Sequence, residues 1–231
     1  MSANDPLSAR VGAAPERLAP LVERFPVLRP PVSIGGAAVT IVLREGLREV
    51  ETLLIVRTTR PEDPASGQVA LPGGHVNDGD GSLADTALRE LEEEVGLGVS
   101  DFAGPLRFVG PVPAPRFHLT VGVFAATLGP VAHPPDPRSR EEVAHVFWAP
   151  RSSLADSRPV VQETVVGPAP VRATVVHGQV LWGFTRRVLR DFFGLPAEDD
   201  LAGPLLADRG DAGGAAGAGG GIGDPGPRPT L

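Results

Sequence analysis

The stretch from Gly73 to Leu97, GGHVNDGDGSLADTALRELEEEVGL, carries the strongest structural and chemical signal in this chain. Its second half predicts a helix from Ser82 to Val95, because serine followed three residues later by aspartate resembles a capping box and the glycine after Val95 can end a helix. At about 100° per residue, the apolar side chains of this helix form one stripe. Three carboxylates share an arc roughly 100° wide beside that stripe: Glu90, Glu93 and Glu94.

Like charges clustered on one helical face repel each other unless a cation lies between them. Hard divalent ions such as Mg²⁺ or Mn²⁺ take oxygen ligands and are commonly shared between carboxylates and substrate phosphates. The alternative is a solvated acidic face, which is the usual meaning of an arbitrary glutamate run. Glu92 projects away from the arc, and Arg89 lies one turn before Glu93, where an i,i+4 ion pair can form. The solvated-face alternative must also account for the Gly-Gly turn, this arginine and the terminal Gly-Leu.

The flanking sequence predicts an α/β fold in which helices surround a mixed sheet. Strands are predicted at Ala37–Leu43, Glu51–Arg57, Leu106–Gly110, Leu119–Thr127 and Val143–Trp148, with a short extended piece at Gly67–Leu71. The first two strands are separated by a glycine-containing turn, which suggests a hairpin. A last helix is predicted from Trp182 to Phe193.

The two ends of the chain differ in composition from this central part. Residues 1–32 form an N-terminal extension with a short amphipathic helix predicted from Ala14 to Phe25, followed by a proline-rich stretch that cannot continue it. Residues 197–231 contain ten Gly and four Pro, which predicts a disordered tail. The compact domain is therefore expected at residues 33–196.

Composition excludes several classes of function. The chain has 231 residues and no cysteine, so disulfides, thiolate metal sites and a cysteine nucleophile are excluded. A formal net charge of −7 disfavours nucleic-acid binding, and all 21 basic residues are arginine, which excludes lysine Schiff-base chemistry. No apolar run approaches the roughly 18 residues that a membrane span needs, and no secretion signal is evident, so we expect a cytoplasmic protein without membrane contact.

The segment from Arg89 to Leu97, RELEEEVGL, resembles the signature of the Nudix hydrolases, which runs Arg-Glu-apolar-X-Glu-Glu-X-Gly-apolar. The resemblance implies a Nudix-like α/β/α sandwich with a mixed central sheet. It also implies that Glu93 and Glu94 are the main metal ligands, that Glu90 is a further ligand or the base, that Gly73 lends a backbone carbonyl and that Arg89 orients the glutamates.

The loop before this helix departs from the family pattern. It is one residue longer than usual, so that Gly81 stands where the family has a glutamate and Asp80 is the nearest acid. Upstream, Leu53–Thr59 (LLIVRTT) and Gly67–Gly74 (GQVALPGG) resemble the coenzyme A pyrophosphatase branch of the family, which has the same longer loop. Two differences stand out: Leu71 replaces a phenylalanine, and residues 60–63 (RPED) replace a more basic stretch.

Several further residues are candidates for the site. Glu142, with its neighbour Glu141, precedes a predicted strand at a place where several Nudix enzymes have an acid that acts as metal ligand or base, although a plain loop charge explains it equally well. Candidates for substrate contact are Arg57, Gly74, Arg116 and Phe117. The histidines show no metal-ligand spacing.

The resulting hypothesis is a divalent-metal-dependent pyrophosphohydrolase that cleaves the diphosphate of a nucleoside diphosphate derivative. Coenzyme A or acyl-coenzyme A is the favoured substrate by resemblance. The alternatives are a pyrophosphatase for ADP-ribose or another nucleotide sugar or dinucleotide, and a non-catalytic Nudix-fold nucleotide sensor. The expected partner is a small nucleotide rather than a nucleic acid or a membrane, and a homodimer is compatible with the sequence.

Overall fold

A seven-stranded mixed sheet lies at the centre of the protein. The computed structural model describes residues 17–60, 66–129, 135–164 and 167–196. The strands of the central sheet are β1 (Ala37–Glu45), β2 (Val50–Arg57), β3 (Val69–Ala70), β4 (Gly73–His75), β5 (Arg107–Ala114), β6 (Leu119–Thr127) and β7 (Val143–Pro150). Their order is β3-β2-β1-β6-β5, with β4 paired to β1 and β7 paired to β2. The β1–β6 pair is parallel, whereas the other pairs of this sheet are antiparallel.

Helices cover both faces of this sheet. They are α1 (Ala19–Val22), α2 (Leu83–Val95) and α3 (Gly183–Phe192). Side chains alternate between the two faces along each strand. In β1, Ile41 packs in a core cluster with Leu189 of α3, whereas Val42 packs in a second cluster with Leu91 of α2. The predicted α/β/α sandwich with a mixed central sheet is therefore confirmed.

A second, three-stranded antiparallel sheet follows the central one in the chain. Its strands are β8 (Arg158–Thr164), β9 (Gly167–Val176) and β10 (Gln179–Trp182), in the order β10-β9-β8. The sequence analysis predicted no strand between residues 148 and 182, and on this point it was wrong. Strand β10 leads directly into α3. The three-stranded sheet therefore lies in the chain between the central sheet and the helix that covers one face of the central sheet.

Most predicted elements are present with small changes at their ends. The β1–β2 hairpin is confirmed, with Glu45 paired to Val50. The predicted helix over 182–193 is α3, whereas of the predicted extended piece over 67–71 only Val69–Ala70 is a strand. Of the helix predicted over 14–25, the described part is helical only at Ala19–Val22, and residues 14–16 lie outside the described residues. The tail prediction for 197–231 also lies outside them. No helix in the described ranges is long and apolar enough to cross a membrane.

Candidate active site

Helix α2 is fixed at both ends by local hydrogen bonds. At its start the Ser82 hydroxyl accepts a hydrogen bond from the Asp85 backbone N–H at 3.3 Å. At its end Gly96 adopts a left-handed conformation with φ of 72°, and its N–H donates to the Glu92 carbonyl at 3.1 Å. Leu91 is fully buried against the sheet. These contacts fix the rotation of the helix and therefore the directions in which its glutamates point.

Two glycines of β4 allow the glutamates of α2 to approach the sheet closely. The Gly73 N–H donates to Glu94 Oε2 at 2.9 Å. A Cβ atom at Gly73 would lie 2.2 Å from the Ala38 carbonyl oxygen, and the φ of 147° is one that other residues rarely adopt. A Cβ atom at Gly74 would lie 2.5 Å from Glu90 Oε1. Glycine at both positions is thus required for the observed contact between β4 and α2.

Arg89 joins several acidic groups of the site. Its guanidinium donates to Glu90 Oε1 at 2.8 Å and to Glu93 Oε2 at 3.0 Å, and it also donates to the His75 carbonyl at 2.9 Å. The predicted i,i+4 ion pair between Arg89 and Glu93 is confirmed. Arg89 therefore restricts the positions of two of the three glutamates on the predicted metal arc.

The lengthened loop supplies the anchor for this arginine. Asp80 accepts hydrogen bonds from the Arg89 guanidinium at 3.2 Å and 3.0 Å, one to each carboxylate oxygen. Asp80 Oδ2 also accepts from the Asn77 N–H and the Thr86 hydroxyl, each at 2.9 Å. The hydrogen bond from Arg89 is the main cause that lowers the pKa of Asp80 to about 2. Asp80, the acid nearest to the position where the family has a glutamate, therefore holds Arg89 in place.

The glutamates differ strongly in their exposure and electrostatics. Glu94 is 2% exposed and Glu90 is 9% exposed, whereas Glu93 is exposed to solvent. Burial is the main cause that raises the pKa of Glu94 to about 8. The charges of Glu90 and Glu142 contribute to this shift, and the Gly73 hydrogen bond opposes it. Burial also raises the pKa of Glu90, and Arg89 opposes this shift. Two buried carboxylates thus lie within electrostatic range of each other and of Glu142.

This donor set suits a hard divalent cation. In the described part of the chain, no three acidic or histidine side chains are already gathered around one point that could hold a metal ion. Instead, Glu90 and Glu93 bond to Arg89, and Glu94 bonds to the Gly73 N–H. The available ligands are carboxylate oxygens, which Mg²⁺ and Mn²⁺ prefer, and a cation would offset the repulsion between the buried carboxylates. The residues therefore fit such an ion.

An open cleft of about 810 Å³ lies beside α2. One wall is formed by α2 through Arg89, Glu92 and Glu93, and the other wall is formed by the loop of residues 138–142. This loop is tied to the site, because the Arg138 N–H donates to the Glu94 carbonyl at 2.9 Å. The cleft thus gives solvent and small molecules access to the acidic side of the helix.

The other predicted site residues occupy three different places. Arg57 ends β2 and is close enough to Glu94 for its charge to lower the pKa of that carboxyl. Glu142 lines the cleft. Arg116 and Phe117 belong to a short 3₁₀ helix between β5 and β6, and Phe117 is 48% exposed and is not among the described residues that line the cleft.

The sequence analysis missed two arginines of the cleft. Arg138 and Arg140 line its outer wall beside Glu141 and Glu142. The sequence contained an indication of them, because the triplet Arg-Ser-Arg at 138–140 directly precedes Glu141 and Glu142, which the sequence analysis had named as candidates. Which wall these arginines form depends on how the loop packs against α2, and this packing cannot be read from their spacing.

Comparison with known proteins shows the family of this chain. The model of the NUDIX domain family matches residues 35–165. The chain is similar to the uncharacterized Nudix hydrolase NudL of Enterobacter sp. (strain 638), with 30% identity over 181 residues, 74% of this chain and 90% of the relative. It is also similar to the protein of the same name from Shigella flexneri serotype 5b (strain 8401), with 35% identity over 136 residues, 56% of this chain and 67% of the relative.

A MutT/nudix family protein from Enterococcus faecalis is similar in structure, with a TM-score of 0.47 and 18% identity over 84% of this chain and 74% of that one. The family model covers more than half of the chain and includes the whole of β1, β2, α2 and the cleft loop. The chain therefore belongs to the Nudix family and is a Nudix pyrophosphohydrolase.

Proposed function

We propose that this chain is a Mg²⁺- or Mn²⁺-dependent pyrophosphohydrolase that cleaves the diphosphate of coenzyme A or acyl-coenzyme A. The products would be 3′,5′-ADP and a phosphopantetheine. The observation that carries the proposal is the burial of Glu90 and Glu94 within electrostatic range of each other on α2, with Glu93 and Glu142 lining the open cleft beside this helix. Buried carboxylates in mutual repulsion are costly, and a bound cation removes that cost.

Each residue of the site has a proposed role. Glu93 and Glu94 would be the main ligands of the cation, Glu90 a further ligand, and the Gly73 carbonyl an additional donor. A divalent cation held there would polarise the diphosphate and lower the pKa of a water molecule. Arg89 orients Glu90 and Glu93 through its two hydrogen bonds, and Asp80 keeps Arg89 in that position.

Two carboxylates are candidates for the base that accepts the proton of the attacking water. The Glu90 carboxylate accepts a hydrogen bond from Arg89, which occupies one of its two oxygens. In the described residues Glu142 has no side-chain hydrogen bond, and it is exposed in the cleft. We therefore assign the base role to Glu142 and the ligand role to Glu90.

The choice of coenzyme A rests on the segment Gly67–Gly74, which resembles the coenzyme A branch of the family. This segment lies beside the site, since the Arg57 N–H donates to the Gln68 carbonyl at 3.0 Å and Gly73 and Gly74 contact the glutamates. Leu71, which replaces a phenylalanine of the branch, is 3% exposed. The replacement thus exchanges one apolar core group for another. ADP-ribose is the second candidate, because the RPED stretch at 60–63 lacks the expected positive charge.

The substrate proposal is tested by measuring kcat/KM with Mg²⁺ and with Mn²⁺ for coenzyme A, dephospho-coenzyme A, ADP-ribose and NADH. A preference for ADP-ribose by tenfold or more, about 1.4 kcal/mol in transition-state binding, would reject the coenzyme A assignment. Binding without hydrolysis of any of the four would favour the nucleotide-sensor alternative.

The metal site is tested in the same assay with two glutamine substitutions on α2. Glu93→Gln removes a charge from the metal arc and should lower kcat about 100-fold or more with little change in melting temperature. The matched control is Glu92→Gln, an exposed position of the same helix outside the arc, which should retain activity within about threefold. Equal activity of the two variants would contradict the proposed metal face.

A further inference from the structure

Two arginines of the cleft have no role in the site described so far. Arg138 and Arg140 are exposed on the wall opposite α2. Within the described ranges, neither guanidinium forms a hydrogen bond or an ion pair, although Glu141 and Glu142 are close in sequence. By contrast, Arg89 on the other wall is fully engaged with acidic groups. The cleft therefore presents two free cationic side chains, which can pair with an anionic group of a ligand.

The backbone that carries these arginines is well fixed. The Arg138 N–H donates to the Glu94 carbonyl at 2.9 Å, and the Thr58 hydroxyl donates to the Arg140 carbonyl at 3.0 Å. Between them, the Ser139 carbonyl accepts from the Val143 N–H at 2.8 Å, which closes a turn. Because the loop is tied both to α2 and to the end of β2, both arginines are held at one place along the cleft, and little loop ordering is needed on binding.

Arg138 also marks a position at the C-terminal end of α2. Its side chain lies across Gly96, where a Cβ atom would come within 2.5 Å of Arg138 Nε. With a rise of about 1.5 Å per residue, Gly96 lies roughly 9 Å along the helix axis from Glu90. The side chains of Glu90 and Glu94 lean toward the helix start and meet β4 there, which increases the separation. Arg138 therefore lies near the C-terminal end of α2, away from the contact between Glu90 and Gly74.

We infer that Arg138 and Arg140 bind a phosphate group that the substrate carries apart from the diphosphate that is cleaved. This inference rests on the proposed function, and in coenzyme A the group is the phosphate on the 3′ oxygen of the ribose. Two guanidinium groups can bind a phosphate dianion through several charge-assisted hydrogen bonds. These arginines would also supply, from a different part of the chain, the positive charge that the RPED sequence at 60–63 lacks.

A binding experiment tests the inference independently of hydrolysis. Titration calorimetry compares 3′,5′-ADP with 5′-AMP, which differ only in the 3′ phosphate, on the full chain. We expect the wild type to bind 3′,5′-ADP at least tenfold more tightly, and the double variant R138Q/R140Q to lose this difference. The control is Arg158→Gln on β8, an exposed arginine with the same change in charge, which should keep it. Affinities within twofold of each other in the wild type, or no binding of 3′,5′-ADP at millimolar concentration, would overturn the inference.

A kinetic experiment separates this inference from the proposed function. For R138Q/R140Q we expect kcat/KM to fall about 30-fold for coenzyme A, mainly through KM, and less than threefold for dephospho-coenzyme A. An equal loss on both substrates would mean that the arginines contact the diphosphate, which overturns the inference while the proposed function stands. Absence of coenzyme A hydrolysis by the wild type, together with tighter 3′,5′-ADP binding that depends on the arginines, would reject the proposed substrate and support the subsite.

Discussion

Replacement of Glu94 by glutamine should stabilise the metal-free protein while it destroys the proposed metal site. Glu94 is 2% exposed, and its carboxylate accepts a hydrogen bond from the Gly73 N–H at 2.9 Å. Glutamine has nearly the same shape, and its carbonyl oxygen can accept the same hydrogen bond. The substitution therefore removes the buried ionisable group and leaves the packing of α2 against β4 in place.

The magnitude follows from the pKa of Glu94, which burial raises from 4.5 to about 8. A group whose pKa is higher in the folded state favours folding at pH values below its unfolded pKa, and this contribution is lost as the pH rises toward the folded pKa. At about 1.4 kcal/mol per pKa unit, the three units between 4.5 and pH 7.5 correspond to about 4 kcal/mol. The buried amide of glutamine must still be desolvated, so we expect a net gain of about 1 to 3 kcal/mol.

Urea unfolding in the presence of EDTA measures this effect. Between pH 5 and pH 8 the free energy of unfolding of the wild type should fall, and that of Glu94→Gln should fall less. Asp80 does not disturb this window, because its lowered pKa contributes stability above about pH 4 that is lost only as the pH falls toward 2. The control is Glu92→Gln, which should follow the wild type. With Mn²⁺ at about 100 times its Kd, the wild type should gain about 2.7 kcal/mol and Glu94→Gln clearly less. A Glu94→Gln protein that is less stable than the wild type at pH 7.5 in EDTA would refute the argument from burial.

Two further changes test other parts of the chain. In Gly74→Ala the new methyl group would lie 2.5 Å from the Glu90 carboxylate, so kcat should fall about 10- to 100-fold. The control is Gly79→Ala, where a Cβ atom meets nothing within 4 Å, and this variant should behave as the wild type. Equal kcat values of the two variants in a steady-state assay would contradict the close contact between Gly74 and Glu90. Removal of residues 202–231 should leave kcat and melting temperature unchanged, because the sequence of this tail offers few apolar residues to pack, and a drop of several degrees in a thermal scan would show that the tail docks.

The elements that could be predicted from the sequence are those whose signals are local. Helix α2 has its start signal at Ser82, its stop signal at Gly96 and a regular apolar stripe between them, and the structure gives it within a residue of the prediction. The ion pair between Arg89 and Glu93 follows from helical spacing alone. Local periodicity thus fixes both the helix and the face on which its carboxylates lie.

The second sheet was missed because prolines interrupt its strands. Pro159, Pro168 and Pro170 lack an N–H to donate, and a proline within a run argues against a central strand. The structure accommodates them at the margin of the sheet. Strand β8 is an edge strand, and β10 pairs with β9 only at residues 173–176, so Pro168 and Pro170 have a partner strand on one side only. These prolines therefore indicate strands with a free edge, and they do not indicate the absence of strands.

The parts of the site that were missed depend on contacts between distant segments. Asp80 could be recognised as the nearest acid, but its bond to Arg89 depends on the course of a loop that bends back over α2. Arg138 reaches the cleft only because its N–H bonds to the Glu94 carbonyl, 44 positions earlier in the chain. Such contacts follow from tertiary packing, and no periodicity in the sequence encodes them.

The folding energy of α2 explains how the chain can hold acidic groups in an unfavourable place. Its apolar stripe buries Leu83, Leu91 and Val95 completely or almost completely, and each such side chain contributes about 2 kcal/mol. This gain is comparable to the cost of burying Glu94 in the absence of a cation, so the helix docks even though docking brings Glu90 and Glu94 together. The carboxylates of Glu90 and Glu94 lie directly beside the apolar stripe on the helix. When the helix is rotated so that the stripe is buried, these carboxylates therefore face β4. Hydrophobic packing thus fixes the proposed cation site in the metal-free protein, so the binding energy of a cation would be available to orient the substrate rather than to organise the protein.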